Sequence, residues 1–436
     1  MQVESLAFYF HLMTKNTDPN MRPRRRHLLL GTTVFLVGGL MLSGCAAGTT
    51  TSSATTGTGT TTSSATGDLT VAEATSEVTE SDSSTTAETI TNTTEAVQAF
   101  LATLSEEQRE AVSFDYDDET RTTSWSNFPI TLVDRAGLNV ADLTEEQQVA
   151  ALQVMEALLS DDAYETVSNI IASDQYLVEN SSTTESTLGQ YYIALFGDAS
   201  DTSAYEVQFG GHHLGINATL DGTADAITFA PTHLGVQPAE WTAADGTEVQ
   251  AFDEISTDAF AFYDSLTAEQ QETLTSGDVT MCAPGDSCEF TTGAGLTGAD
   301  LTDDQRELLL DLISNWSEMA DEESAATTRA EIEGTLDDTV IAWSGETTYD
   351  MTQGDGINFS ISGPNVYVGF QAQQGSAGAD VDGVSTSGWG HVHTIYRDPS
   401  NDYANSVEQQ EATGGMGGGA PSGGGPSDGG TPPSGN

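Results

Sequence analysis

Five histidines are the residues of this chain whose type and spacing best suit metal binding or catalysis. They are the histidines that follow Cys45 in the sequence, namely His212, His213, His233, His391 and His393. A neutral imidazole binds transition metals and also serves as a general acid or base. All five lie in, or at the ends of, segments whose residue pattern predicts β-strands. The fold must therefore bring together two groups of histidines that are far apart in the sequence.

The spacing within each predicted strand indicates which side chains share a face. Side chains alternate between the two faces of a strand, so His391 and His393 point the same way, together with Arg397. In the earlier strand the same rule places His213 and Asn217 on one face. It places His212 on the other face, with apolar neighbours, which predicts that His212 faces the core.

Three histidines contributed by two strands match the ligand set of a zinc or copper site. We predict His213, His391 and His393 as the metal ligands, with His212 or His233 as a fourth. Asp398 or Glu206 would hold a ring N–H from the second coordination sphere. The alternative is a metal-free polar pocket, in which a ligand contacts the residues Asn217, His233 and Tyr396.

A catalytic role is predicted for Arg397 and Asp398, which end the last predicted strand. Arg397 is one of only six basic residues that follow Cys45. An arginine at a site in so acidic a protein would anchor an anionic group such as a carboxylate. The alternative is a structural salt bridge between Arg397 and a nearby aspartate.

The segments that must position these residues indicate an α+β fold, with a helical N-terminal half and antiparallel strands that carry the histidines. Apolar periodicity predicts helices at 95–112, 161–179, 253–266 and 301–319. Capping boxes at Thr144 and Thr302 mark the start of two helices. Alternating segments predict strands at 205–209, 213–220, 226–229, 339–343, 357–362, 366–371 and 391–397.

The N-terminal segment reads as an export signal. A basic stretch precedes an apolar run that ends in Leu42-Ser43-Gly44-Cys45, which resembles a lipobox with Cys45 as the lipidated residue. Arg25-Arg26 resembles a twin-arginine signal, and export by either Tat or Sec remains open. The alternative is a membrane-anchoring helix. We expect Met21 to be the true start and the protein to be held at the outer face of the membrane.

These patterns predict four regions. Residues 1–45 form the signal peptide, 46–93 a disordered Ser/Thr-rich tether, 94–405 a single α+β domain, and 406–436 a disordered Gly/Pro/Ser tail. Cys282 and Cys288 flank a Pro-Gly turn, which in an exported protein predicts a short disulfide-closed loop. A metal-binding role for this pair is the weaker alternative.

The charge balance is strongly acidic, with 11 basic against 67 acidic residues. Such a surface repels nucleic acids, so a nucleic-acid partner is excluded. High salt would screen the self-repulsion, which favours a halophilic source over an ordinary one.

Several strings resemble the family called domain of unknown function 3500. They are SWSNFP at 124–129, YYIALFG at 191–197, FGGHHLGIN at 209–217 and HVHTIYRDPSNDY at 391–403. The resemblance spans roughly residues 94–403 and implies one domain, but the family brings no activity. The segment 281–298 reads as an insertion, and Ala404 stands where the family pattern has glycine.

Three functions follow as hypotheses. The first is a metal-dependent extracytoplasmic enzyme with zinc or copper as cofactor. The second is a lipid-anchored protein that binds a small molecule or a metal without catalysis. The third is a structural protein of the cell surface. Convergence of His213, His391 and His393 would separate the first two hypotheses from the third.

Overall fold

The structure is a computed structural model that describes residues 69–407, apart from 82, 132, 184–187, 275–278, 282–294, 351–354 and 375–380. The predicted signal peptide with Cys45 and the predicted disulfide between Cys282 and Cys288 lie outside the described residues. None of the helices in these ranges combines the length and the apolar character that a bilayer-spanning helix requires.

The described residues form nine α-helices. They are α1 (Val71–Ala74), α2 (Thr86–Thr103), α3 (Glu106–Val112), α4 (Glu145–Leu158), α5 (Asp161–Asn180), α6 (Asp253–Ser265), α7 (Ala268–Thr273), α8 (Asp303–Ser317) and α9 (Glu322–Glu333). The predicted capping boxes at Thr144 and Thr302 are present, each reciprocal with a glutamine three residues on. The single helix predicted at 95–112 is two helices, because Ser105 adopts an extended backbone and caps α3.

The folded domain begins earlier than the sequence predicts. Residues 69–93 belong to the predicted tether, yet α2 already starts at Thr86, and Val71 and Ile90 are buried in the core. Threonines on the inner face of α2 are buried with their hydroxyls bonded. Thr89 donates to the Asp321 carboxylate at 2.8 Å, and Thr93 donates to the Ala157 carbonyl at 3.1 Å. A Ser/Thr-rich composition predicts disorder, but here the buried threonines of α2 satisfy their hydroxyls by hydrogen bonds, so the segment can fold as a helix.

Fourteen strands are present in the described ranges. They are β1 (Ser113–Phe114), β2 (Leu138–Asn139), β3 (Tyr192–Phe196), β4 (Ala204–Gly210), β5 (Leu214–Asp221), β6 (Ala226–Thr228), β7 (Thr232–Val236), β8 (Glu240–Thr242), β9 (Glu248–Gln250), β10 (Leu296–Thr297), β11 (Val340–Gly345), β12 (Ile357–Ser362), β13 (Tyr367–Gln373) and β14 (Gly388–Arg397). Twelve of them form one mixed sheet, and β8 pairs with β9 separately. Only the β1–β3 pair among these is parallel. The predicted α+β class is confirmed.

The strand order decides where the histidines meet. The main sheet runs β1-β3-β4-β5-β7-β14-β13-β12-β11-β10, with β2 beside β3 and β6 beside β5. The last strand, β14, therefore inserts beside β7 and two places from β5. In this register His393 lies opposite Gly235, and His233 lies opposite both Ile395 and Gly215. Opposite residues of neighbouring strands point to the same face, so both groups of histidines share one face of the sheet.

The reverse face of these strands carries the apolar core. Leu214, Leu234, Val392 and Tyr396 alternate onto this face and are buried against the helices. Trp316 of α8 is also fully buried and belongs to the same cluster. Tyr396 therefore packs in the core, away from the histidines, and the ligand-binding role predicted for it has no support from this position.

Candidate metal centre

Strand β14 presents two histidines side by side. His391 and His393 are only 5% and 4% exposed, and their Nε2 atoms are 2.9 Å apart. Their ring centroids are 4.9 Å apart. The two side chains therefore share a face, as strand alternation predicts, and both nitrogens point at the same small volume.

A tight turn between β4 and β5 delivers His212 and His213. Gly210 and Gly211 make the turn possible because neither position has room for a side chain. A Cβ atom at Gly210 would stand 2.3 Å from the Leu214 carbonyl oxygen, and one at Gly211 would stand 2.5 Å from the Gln190 carbonyl oxygen. The two glycines therefore permit a close approach of the backbone that no other residue type would allow.

The prediction that His212 faces the core is wrong. His212 and His213 form a bend, and β5 begins only at Leu214, so strict alternation does not apply to the pair. The rings of His212 and His213 stack at 4.2 Å with an interplanar angle of 17°. His212 therefore lies in the cluster and is partly exposed, while His213 is fully buried.

His233 completes the group from β7. Its Nδ1 donates a hydrogen bond to the Thr394 carbonyl oxygen at 2.6 Å. Its ring centroid lies 5.5 Å from that of His393, with the planes 22° apart. The bond fixes the tautomer, because a protonated Nδ1 leaves Nε2 with a free lone pair.

Several imidazole nitrogens in the cluster are buried without a hydrogen-bond partner among the described residues. These atoms are Nδ1 of His212, Nε2 of His213, Nε2 of His233 and Nδ1 of His393. One nitrogen each from His212, His213 and His393 lie within 4.8 Å of one another. Buried polar atoms without partners are costly and rare, so the three histidines that approach one another fit a bound metal ion.

Burial keeps these rings in the form that binds metal. It lowers the pKa of His213 to about 3, and it also lowers the pKa of His233 to about 3. The pKa of His393 lies well below its usual range for the same reason, and the neighbouring histidines lower it further. Neutral imidazoles carry the lone pair that a metal ion requires.

Asp174 of α5 orients His213, and the sequence analysis missed it. The His213 Nδ1 donates to Asp174 Oδ1 at 2.5 Å, and the Tyr191 hydroxyl donates to Asp174 Oδ2 at 2.6 Å. Burial raises the pKa of Asp174 to about 6, against the opposing effects of Tyr191 and His212. Helical spacing in the sequence could have identified Asp174 as buried, because it follows Ile170 by four residues and so lies on the same buried face of α5.

Replacing Asp174 with asparagine should weaken metal binding about 10–100-fold, the usual cost of losing a carboxylate that orients a ligating histidine. Asparagine keeps the side-chain volume but removes the carboxylate that accepts the His213 N–H, so the change alters the hydrogen bond and not the packing. The measurement is a competition titration with a chromophoric chelator. Glu165→Gln, an exposed change on the same helix, is the control. Equal affinities for both variants would contradict the assignment.

The two carboxylates predicted for the second sphere serve elsewhere. Asp398 accepts hydrogen bonds from the backbone N–H and the hydroxyl of Ser400, and so closes the turn after β14. Glu206 accepts a hydrogen bond from the Thr219 hydroxyl at 3.1 Å, and its carboxylate lies 3.9 Å from the Arg121 guanidinium. Neither bonds to a histidine in the described contacts, so Asp174 takes the role predicted for them.

Glu206 should make stability depend on pH. Burial raises its pKa from 4.5 to about 8, and Arg121 offsets this only in part. Between these values the folded state holds a proton that the unfolded state releases. The stabilisation is thus complete below pH 4.5 and is lost as pH rises through about 8. We expect the free energy of unfolding to fall by at most about 1.4 kcal/mol per pH unit over that window.

The check is denaturant unfolding of the wild type and of Glu206→Gln in the upper part of that window, above the ordinary pKa of histidine. The glutamine variant should lack the slope, because it has no proton to lose. A wild-type stability that is constant with pH would show that Glu206 is ionised in the folded protein.

Arg397 forms a salt bridge instead of an open anion anchor. Its Nε donates to Asp402 Oδ2 at 2.6 Å, and its guanidinium lies 6.0 Å from the ring of Trp125. Arg397 follows His393 by four positions, which is about 13 Å along a strand. These contacts give no support to the catalytic role predicted for Arg397 and Asp398, which stays a prediction.

Asn217 lies on the same face as His213, but its side chain is already hydrogen-bonded within the protein. Its side-chain oxygen accepts a bond from Gln208 at 2.8 Å, and its amide donates to the Pro231 carbonyl at 3.0 Å. The residue is fully buried. It therefore braces the strands, and a ligand would have to break these bonds to reach it.

Comparison with known proteins gives one match. No curated protein and no solved structure matches the chain. A family model matches residues 86–405, which is more than half of the sequence, and includes all five histidines of the cluster and Asp174. The start of the match coincides with the first residue of α2, in agreement with the early boundary of the folded domain. The resemblance noted from the motifs is thus confirmed, and the chain belongs to the family described as "Protein of unknown function (DUF3500)".

Proposed function

We propose that the protein is an exported, lipid-anchored metalloenzyme whose histidine cluster holds a transition metal, zinc or copper, outside the membrane. The observation that carries the proposal is the convergence of His212, His213 and His393, from the β4–β5 turn and β14, with one nitrogen of each within 4.8 Å of the others. Each of these three rings has a buried nitrogen without a hydrogen-bond partner. The signal-like N-terminus and the lipobox ending at Cys45 support the location.

The orientation of the rings supports metal binding over a polar pocket. His213 is anchored through Nδ1 by Asp174, and His233 is anchored through Nδ1 by the Thr394 carbonyl. Metal-ligating histidines characteristically donate the other ring N–H to a carboxylate or a carbonyl in this way. The other nitrogen of His213, Nε2, has no hydrogen-bond partner among the described residues, and His213 belongs to the group of three histidines that could hold an ion.

Partial exposure of His212 supports catalysis. Four of the five histidines are buried, whereas His212 is partly exposed at the turn. A catalytic metal keeps one coordination position open for water or substrate, and in this proposal that position lies on the side of His212. The metal would polarise a substrate or activate water or oxygen there, so both hydrolysis and oxidation fit the site.

A second function, binding of a metal without catalysis, is favoured by the deep burial of the other four histidines. A carrier or structural site is closed and has all its positions filled by protein. The two functions differ in whether a small anion reaches the bound metal. Azide should shift the absorption spectrum of the Cu(II) or Co(II) form of an enzyme and leave that of a closed site unchanged.

The first experiment is metal analysis. The full-length protein would be purified in detergent without a histidine tag or chelator, and its metal content measured by elemental mass spectrometry. About one equivalent of zinc or copper is the expected result for a single site. A protein that is free of metal and stays so after each ion is added would refute the proposal.

A further inference from the structure

We propose that His391 is a positioning residue, which lies outside the coordination sphere and accepts a hydrogen bond from the metal-binding ring of His393. This inference rests on the proposed function, because it assigns a role to a further residue of the same site. The evidence is the set of nitrogens that could share an ion, the bond between the two rings and the local shape of β14.

His391 is not among the histidines that could share one ion. The group found among the described residues consists of His212, His213 and His393, with one nitrogen of each within 4.8 Å of the others. His391 is nevertheless about as buried as His393, at 5% against 4% exposed. Its ring centroid lies 5.6 Å from that of His213, with the two planes at 90°. A buried imidazole that packs beside two ligands, yet stands outside their group, needs a role other than binding the ion.

A hydrogen bond joins His391 to His393. Their Nε2 atoms are 2.9 Å apart, which is an ordinary length for such a bond. Nδ1 of His393 has no hydrogen-bond partner among the described residues, so it is the nitrogen left for the ion. A neutral imidazole that binds through Nδ1 carries its hydrogen on Nε2. His393 therefore donates this hydrogen bond, and Nε2 of His391 accepts it.

The other buried ligand is held in the same way. His213 donates its Nδ1–H to Asp174, and its Nε2 has no partner within the described part of the chain. Ligating histidines characteristically donate the other ring N–H to an acceptor that fixes their tautomer and orientation. His391 does for His393 what Asp174 does for His213. Because this acceptor is a neutral ring, it orients the ligand without offsetting the charge of the ion.

An irregularity in β14 lies directly at His391. The pairing of β14 with β13 is regular down to Val392 and then shifts, so that the next paired residue is Gly388 and residues 389–391 fall between the two pairs. Irregularities of this kind, such as β-bulges, re-aim side chains and are common next to active sites. His393 lies in the regular part and is paired with both neighbouring strands. The regular ladder thus fixes the ligand, and the irregular segment places the residue that orients it.

The test compares two replacements of His391, of similar volume, in the full-length protein in detergent. Glutamine keeps an acceptor, the amide oxygen, whereas leucine offers none. We expect His391→Leu to weaken zinc binding about 10–100-fold, the usual cost of losing such an acceptor, and His391→Gln to restore most of that loss. A competition titration with a chromophoric chelator measures both affinities. Gln371→Ala, on the neighbouring strand opposite His393, is the matched control and should bind zinc as the wild type does.

The visible spectrum of the Co(II) form shows whether the ligands themselves change. Its bands depend on the atoms bound to the ion, so they should keep their positions and intensities in both His391 variants. His393→Leu, which removes a ligand, should change them. Near-ultraviolet circular dichroism shows whether each variant retains its fold. If His391→Leu does not fold, His391→Phe, which keeps a ring without an acceptor, takes its place.

The outcomes separate this inference from the proposed function. Wild-type zinc affinity in His391→Leu, equal weakening by leucine and glutamine, or altered Co(II) bands in either His391 variant would overturn the inference and leave a metal site in place. Failure of both ions to bind to the wild type would overturn the inference together with the proposed function.

Discussion

Replacing both His391 and His393 with alanine should abolish metal binding by the full-length protein. The pair supplies two of the buried imidazoles, and their Nε2 atoms face one another at 2.9 Å. Loss of one second-sphere group typically weakens metal binding about 10–100-fold, and the loss of a ligand together with such a group must exceed that. Alanine at both positions also leaves a cavity in a buried layer, so the stability of the variant must be measured together with its metal content.

The measurement is metal content by elemental mass spectrometry, with unfolding followed in parallel. Gln371→Ala serves again as the control, because this residue lies opposite His393 on β13 and offers no ring nitrogen. Full metal content in the double variant would show that the ion lies elsewhere. If the double variant does not fold, His393→Gln, which keeps most of the side-chain volume, would be tested instead.

Replacing Trp316 with alanine should destabilise the protein by about 3–5 kcal/mol, the usual cost of removing a large buried aromatic side chain. Trp316 is fully buried beneath β14, and its Nε1–H donates to the Thr394 hydroxyl at 2.8 Å. That hydroxyl in turn donates to the Leu234 carbonyl of β7. The indole therefore supports, from the core side, the two strands that present histidines on the opposite face.

Denaturant unfolding of Trp316→Ala and Trp316→Phe measures this effect. The phenylalanine variant keeps most of the buried ring but loses the N–H donor, so it should fall between the wild type and the alanine variant. It separates the packing contribution from the hydrogen bond. A loss below about 1 kcal/mol for alanine would mean that the core closes over the gap.

The sequence by itself determined the local features of this protein. Strand alternation placed His391 and His393 on one face, and capping residues located the starts of α4 and α8. The helices and strands together indicated the α+β class, and the motifs indicated the family. These features follow from interactions between residues that are close in the sequence, which is why pattern and spacing reveal them.

Only the tertiary structure decided which distant residues meet. The insertion of β14 beside β7 joined the two histidine groups, and the packing of α5 brought Asp174 to His213 in place of Asp398 or Glu206. A bend turned His212 towards the other rings. Strand order, register and helix packing are set by the burial of the whole core, and local spacing carries little information about them.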